Sequence, residues 1–384
     1  MESIEINIVE SKYCTNSAKI KAIGVGGGGG NMINHMIKEG VDGIDLIVAN
    51  TDAQALESSL APYKIQLGIH TTRGLGAGMV PEKGREAALE SFDEIKKMLE
   101  GADIVFISAG MGGGTGTGAT PIIAQAAKEV GALTISIATS PFKFEGRKRS
   151  QLAKEGLEEL KRESDSIIVI PNEKLLSIVE KNLGLKESFK LVDDILAQAV
   201  GGISSVILSH GENDINLDFA DVKTVMSHRG LALMGTGKSS GKDAAYDAAK
   251  VAIESPLLEN ISIDGAMGLL VHFYIHPNYP IMEVSNAMQM IEENADKEAN
   301  VIFGTTTDDS LEEDEVKITV IATGFEDKAE STTSKTTSTQ TLINNGKPGI
   351  NTIRNNGKRV VGSGYSDDDE DIYQVPTFIR KQMD

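Results

Sequence analysis

Two glycine-dense turns constrain this chain more than any other feature. The first, Gly24-Val25-Gly26-Gly27-Gly28-Gly29-Gly30-Asn31, follows the apolar run IKAI and opens a helical segment. The second, Gly110-Met111-Gly112-Gly113-Gly114-Thr115-Gly116-Thr117-Gly118, follows ADIVFISA. Residues without a β-carbon let backbone approach a ligand closely, and a helix that starts there aims its N–H groups and the positive end of its dipole at an anion. Alone, the first run also satisfies G-x-G-x-x-G at Gly24, Gly26 and Gly29, with Asp45 or Asp52 near the acidic position of a dinucleotide fold, so an NAD or FAD enzyme is a rival reading. The second run adds two hydroxyls, and Thr120-Pro121 after it predict an N-cap and a first helical residue. A dinucleotide enzyme needs one such loop, whereas two at successive crossovers can hold a triphosphate from both sides.

The surrounding pattern gives these turns a fold. From Lys19 to about Leu183, runs such as IDLIVANTD, ALTISIATS and DSIIVIPN alternate with helical segments. Continuous apolar strands belong to parallel sheets covered on both faces, so this unit reads as a doubly wound α/β domain. The stretch KESFKLVDDILAQAVGGI has helical spacing at Phe189, Val192, Ile195, Leu196 and Ala199, which predicts a long connecting helix ending at Gly201-Gly202. Beyond it SSVILSH, LALMGTG, GLLVHFYIH, NVIFGTT and EVKITVIATG alternate with helices near Phe219 to Ser227, Asp243 to Glu254 and Met282 to Ala295, a smaller α+β unit.

Two units suit 384 residues better than one core. The expected division is an N-terminal extension over 1–18, a nucleotide-binding domain over 19–183, a central helix over 184–203, an α+β domain over 204–325, a disordered linker over 326–368 and a partner-binding peptide over 369–384. The linker is rich in Ser, Thr, Asn and Gly and has too few apolar groups to offset its ordering entropy. The peptide regains Ile372, Tyr373, Val375, Phe378 and Ile379 beside Arg380 and Lys381, a pattern that orders on a partner's groove.

A net charge of −19 opposes a role in covering nucleic-acid phosphates. Cys14 is the only cysteine, the opening MESIEINIVESKYC does not read as a signal peptide, and no apolar run is expected to reach spanning length. The expectation is a cytoplasmic chain without direct membrane insertion. Met234-Gly235-Thr236-Gly237-Lys238-Ser239 imitates a Walker lysine loop, but Ala232 stands where its first glycine is required, so Lys238 reads as a solvated loop residue.

GGGTGTG, VGGGGGN, NTDAQAL (Asn50 to Leu56), PFKFEGRKR (Pro141 to Arg149), IPNEKLL (Ile170 to Leu176) and NLDFADVK (Asn216 to Lys223), taken in order, resemble the tubulin/FtsZ family of division GTPases over about residues 19 to 325 and again at the C-terminal peptide. The resemblance implies that GTP and GDP are bound, with Mg2+ held mainly through the nucleotide and K+ as a further candidate. It places Gly27, Gly28, Gly29, Asn31, Asn50 and Gly110 to Gly118, with Met111, around the nucleotide, Thr115 and Thr117 lying near the outer phosphates. Pro141, Glu145 and Arg149 join the set, the last two at the ribose and phosphates.

Guanine differs from adenine in presenting two donors, N1–H and its exocyclic amine, so a carboxylate is the natural reader. Asp193 is implied there, with Phe189 stacking and Asn172 nearby, although the adjacent Asp194 leaves the choice between carboxylates open. Asn216, Asp218 and Asp221 of a neighbouring copy would orient the attacking water, so hydrolysis needs head-to-tail contact and such contact builds a filament. The implied setting is the cytokinetic ring at mid-cell, where residues 369–384 meet membrane-anchoring adaptors and division regulators. Two alternatives stand beside it: a nicotinamide or flavin oxidoreductase, which leaves GGGTGTG unused, and a nucleotide-dependent filament without meaningful hydrolysis.

Overall fold

The computed structural model describes residues 18–175, 184–208, 215, 218–228, 230–255 and 265–325. The N-terminal extension short of residue 18, Asn216, the linker and the terminal peptide lie outside the described residues.

Among the described residues, ten strands form one sheet: β1 (Ile20–Val25), β2 (Ile44–Asn50), β3 (Tyr63–Gln66), β4 (Ile104–Gly110), β5 (Leu133–Ser140), β6 (Ser166–Pro171), β7 (Gly230–Ser240), β8 (Gly268–Ile275), β9 (Asn300–Thr307) and β10 (Glu315–Thr323). Their order is β3-β2-β1-β4-β5-β6-β7-β10-β8-β9. The helices are α1 (Gly26–Lys38), α2 (Ala53–Ser58), α3 (Ile69–Thr72), α4 (Pro81–Glu90), α5 (Phe92–Leu99), α6 (Thr115–Glu129), α7 (Arg147–Glu163), α8 (Asn172–Leu175), α9 (Leu185–Leu208), α10 (Phe219–Met226), α11 (Ala244–Ile253) and α12 (Ile281–Asn294).

From β3 to β7 every strand pair is parallel, and β1, β4 and β5 are buried almost throughout. Side chains alternate faces along a strand, so an uninterrupted apolar run needs helices on both sides. α1 supplies Met32, Ile33 and Met36 to one core together with α9, while α6 supplies Ile122, Ile123 and Ala126 to the opposite core with α5. Fully buried residues such as Ile23 and Ile107 are each worth about 1.5–3 kcal/mol of burial. The chain is thus doubly wound α/β, joined through α9 to a smaller α+β half. Only the first three residues of β7 pair with β6, and its remainder pairs antiparallel with β10, so the two halves share one sheet.

Three expectations change here. α9 runs through Gly201-Gly202 to Leu208 and takes in the start of SSVILSH as its final turns. These glycines do not stop the helix. A β-carbon on Gly202 would stand 3.2 Å from the Thr319 methyl, so this glycine lets α9 lie close on β10. With Val192, Ile195, Leu196, Ala199, Val200, Ile203, Val206 and Ile207 all buried, the stretch Glu187–Leu208 is long and apolar enough to cross a membrane by composition, contrary to the sequence expectation. Its apolar residues belong to the core instead.

Lys238 is on strand β7, not in a loop, and its ammonium lies 2.8 Å from Glu315. A β-carbon on Gly237 would meet the Ala248 carbonyl oxygen at 1.9 Å, so the Walker-like glycine there admits the alanine-rich helix α11.

Candidate functional site

The chain winds from β1 outward to β3, then returns to β4 and winds the other way to β6, which leaves β1 and β4 as parallel neighbours with Val25 beside Ala109. Their crossover helices α1 and α6 leave toward opposite faces, so a crevice opens at the carboxyl ends of the strands between them. Both glycine runs start there. This strand order also serves dinucleotide enzymes, so the order by itself leaves the rival reading standing.

Both helices begin inside their glycine runs, at Gly26 and Thr115. Neither has a side-chain cap or an acidic residue in its first turn. The neighbouring α2, by contrast, is capped by Asp52, which accepts from the Gln54 and Ala55 amides at 2.9 and 3.4 Å. First-turn N–H groups have no intrahelical acceptor, so two uncapped starts side by side favour an anion held between them. The expected N-cap at Thr120 is therefore overturned: Thr120 is buried inside α6 and its hydroxyl donates to the Gly116 carbonyl, with Pro121 also within the helix. The helix starts five residues earlier than Thr120, where the glycines keep its amides open.

The runs touch through backbone. A β-carbon on Gly28 would lie 3.1 Å from the Gly110 nitrogen, and one on Gly29 only 2.3 Å from the Ser108 carbonyl oxygen. Gly27 and Gly113 instead face open space, with nothing within 4 Å of a β-carbon. Gly112 has φ +95, and its amide donates to the Thr117 hydroxyl at 2.8 Å. Thr117 is thus buried and pins the loop, while the Thr115 hydroxyl lies 2.6 Å from that of Thr51. Met111 is buried and its amide donates to Thr139 at 2.9 Å. Asn31 is exposed on α1, and Asn50 is buried at the end of β2, its side-chain oxygen accepting from the Asp52 amide at 3.2 Å.

A third wall went unread in the sequence. Between β3 and α4 the chain folds over the same edge: the Gly114 amide donates to Gly78 at 2.7 Å, the Gly76 amide to Thr51 at 3.1 Å and the Ala53 amide to Gly74 at 3.1 Å. Glu90 anchors this segment by accepting from the His70 and Thr71 amides and the Thr71 hydroxyl, and the His70 N–H bond is the leading cause that lowers its pKa. The signal was present in Arg73-Gly74-Leu75-Gly76-Ala77-Gly78, where all three glycines and Arg73 have positive φ.

A contiguous set of contacts leads from the glycine turns to α9. A β-carbon on Gly112 would meet the Arg149 carbonyl oxygen at 2.8 Å, and the Arg149 guanidinium pairs with Glu145. Glu145 lies in a short 3-10 turn and accepts from the Phe142 amide at 2.9 Å, just past Pro141. The Phe142 ring stacks on Phe144 at 4.9 Å and meets Phe189 edge-on at 5.5 Å. Phe189 is partly exposed one helical turn before Asp193. Burial, then the charge of Asp194, pushes Asp193 up to about 6. Asp194 itself lies 2.7 Å from His35 Nε2 on α1. Asn172, buried at the start of α8 just past β6, keeps a side-chain carbonyl with no hydrogen-bond partner.

Asp218 and Asp221 are not brought to this edge. α9 has 24 residues and so spans about 36 Å. Its last residue, Leu208, packs beside Gly43 at the entry to β2, the opposite end of the strand from Asn50. Asp218 then occupies the N-cap position of α10 without capping it, and both aspartates are exposed.

Comparison with known proteins places these features in company. Residues 19–180 match the model of the tubulin/FtsZ family GTPase domain, and residues 230–326 match that of the FtsZ family C-terminal domain. The cell division protein FtsZ of Pseudomonas aeruginosa is 46% identical over 387 residues, covering 96% of this chain and 98% of that protein. An empty FtsZ dimer from M. jannaschii superposes with a TM-score of 0.76 at 44% identity, over 80% of this chain and 89% of that one. CetZ2 from Haloferax volcanii, solved as a GTPgS-bound protofilament, shares the fold with a TM-score of 0.69 at 22% identity, over 80% of this chain and 94% of its own.

Proposed function

The chain belongs to the tubulin/FtsZ family, and on that premise we propose that it closes its GTPase site between two copies, one giving the glycine turns and the next giving Asp218 and Asp221. It is a cytoskeletal division GTPase, converting GTP to GDP and phosphate. With that, the oxidoreductase reading falls.

The phosphates lie on the open first turns of α1 and α6, with Gly27 and Gly113 providing clearance. The nearby protein donors are the hydroxyls of Thr51 and Thr115, and among the described residues no cluster of three or more His, Cys, Asp or Glu could hold a metal. That chemistry suits Mg2+ carried on phosphate oxygens, supplying charge neutralisation when bound, with K+ as a second cation near the interface. Glu145 and Arg149 flank the ribose and phosphates, Phe189 stacks on the base, Asn172 offers its free carbonyl, and Asp193 accepts from the two guanine donors.

Phosphoryl transfer requires mostly positioning and charge stabilisation, so the groups that orient water can come from outside. The observation that carries the proposal is the separation itself: uncapped helix starts at one edge of the sheet, Asp218 and Asp221 beyond the far end of α9. Copies stacked in one orientation bring the two edges together, and such heterologous contact extends into a protofilament. Asn216 would join the aspartates. Residues 369–384 dock membrane adaptors and regulators through Ile372, Phe378, Ile379, Arg380 and Lys381, in the cytoplasm at the division site.

Mixing tests the shared site. Asp218→Ala should retain GTP without turning it over, Gly27→Ala should bind it at least tenfold more weakly, and at a GTP concentration that fills only the former the two together should recover phosphate release at junctions where each supplies what the other lacks. Wild-type turnover per copy should rise steeply with concentration. Equal turnover at every dilution, or no recovery on mixing, would sink the shared site.

A further inference from the structure

Asp193 and Asp194 are consecutive on α9, so their side chains leave the helix about 100° apart and only one of them can address a given ligand edge. The carboxylates are chemically identical, and the choice between them has to be made by what surrounds each. His35, on the helix that begins at the first glycine run, sits 2.7 Å from Asp194 with its side chain only 13% exposed, and its other acidic neighbour, Glu39, is 4.0 Å away. We infer that His35 is a positioning residue for guanine recognition: by engaging Asp194 it commits that carboxylate to α1 and leaves Asp193 as the single reader of the base.

This rests on the reading of Asp193 as the group that faces guanine. The contact does two things. It fixes the rotation of α9 against α1, so the phosphate grip and the base reader are held by one pair of packed helices. It also occupies the charge of Asp194 beside Asp193, whose own carboxyl is already held high by burial and by that neighbour. Without the imidazole, Asp194 becomes a half-buried carboxylate lacking its nearest partner, and α9 loses the contact that sets how Asp193 meets the base.

Xanthine separates these roles, because it replaces the exocyclic amine of guanine with a carbonyl that a carboxylate repels. The measurement is the ratio of affinities of the full-length protein for guanosine and xanthosine diphosphates. Within one preparation that ratio is insensitive to the fraction folded. Asp193→Asn should collapse or invert the preference. His35→Leu, which removes every donor to Asp194, should lower it about tenfold, and His35→Arg, which keeps a donor to Asp194, should restore most of it. If Asp193→Asn leaves the ratio unchanged, the base-reader assignment itself is wrong. If Asp193→Asn alters it while His35→Leu does not, or His35→Arg fails to restore it, the role given to His35 is overturned.

Discussion

Glycine to alanine substitutions at two neighbouring turns should have opposite consequences. At Gly118 an added β-carbon would lie 1.9 Å from the Pro81 carbonyl oxygen and 2.8 Å from the Arg85 amide nitrogen. Both are backbone atoms, so no side chain can swing aside and α4 must move off α6. Overpacking of this kind costs roughly 1–3 kcal/mol, with the rigid neighbours pointing to the upper end, and alanine's better helix propensity recovers about 1 kcal/mol of it. A net loss of about 2 kcal/mol should lower Tm by roughly 3 °C for a body of this size.

At Gly27 nothing lies within 4 Å, so Gly27→Ala should leave Tm unchanged or slightly raised. The methyl there would project into the space assigned to phosphate, and nucleotide affinity should fall by a factor of ten or more, about 1.4 kcal/mol per decade. Thermal melting without nucleotide, beside titration with a fluorescent GDP analogue, separates the effects. Wild-type affinity in Gly27→Ala would refute the assignment of the first run to phosphate, and an undiminished Tm in Gly118→Ala would refute the account of why α4 and α6 lie so close.

Asp193 must be ionised to accept from guanine, so GDP affinity should fall as pH drops through about 6, and Asp193→Asn should flatten that profile. Because its folded pKa is raised, the same carboxyl weakens the fold as pH rises from 3.8 to about 6 and stays unfavourable above, so Asp193→Asn should raise Tm at pH 7 when measured without nucleotide. Lys238→Ala, which breaks an exposed ion pair on β7, should leave GTP turnover unchanged in a phosphate-release assay, and a large loss would revive the lysine-loop reading. Glu90→Gln should loosen the segment between β3 and α4, seen as faster amide exchange at His70 and Thr71 together with weaker GTP binding.

Much of the proposed site was legible because backbone suited to phosphate writes itself into composition. A cradle of N–H groups needs residues without side chains, so Gly26 to Gly30 and Gly110 to Gly118 announce themselves, and the apolar runs before them announce a parallel sheet. Glycine is ambiguous all the same. Gly202 and Gly237 have the same composition signal and serve only helix packing, and Gly29 is pressed on Ser108 whereas Gly27 is open. The helix boundaries at Thr120 and Gly202 were misplaced for the same reason, since caps and breakers are local preferences that long-range contact overrides.

The sequence by itself determined the chemistry available: glycine-rich backbone for an anion, carboxylates for a base with two donors, and a strand alternation that puts both turns at carboxyl ends. Only the tertiary structure decided which groups meet. The order of β1 beside β4 makes two distant turns one crevice, His35 on a different helix separates Asp193 from Asp194, and the length of α9 carries Asp218 and Asp221 to the edge away from their own chain's glycine turns. Those outcomes depend on contacts between residues far apart in the chain, which no local pattern encodes.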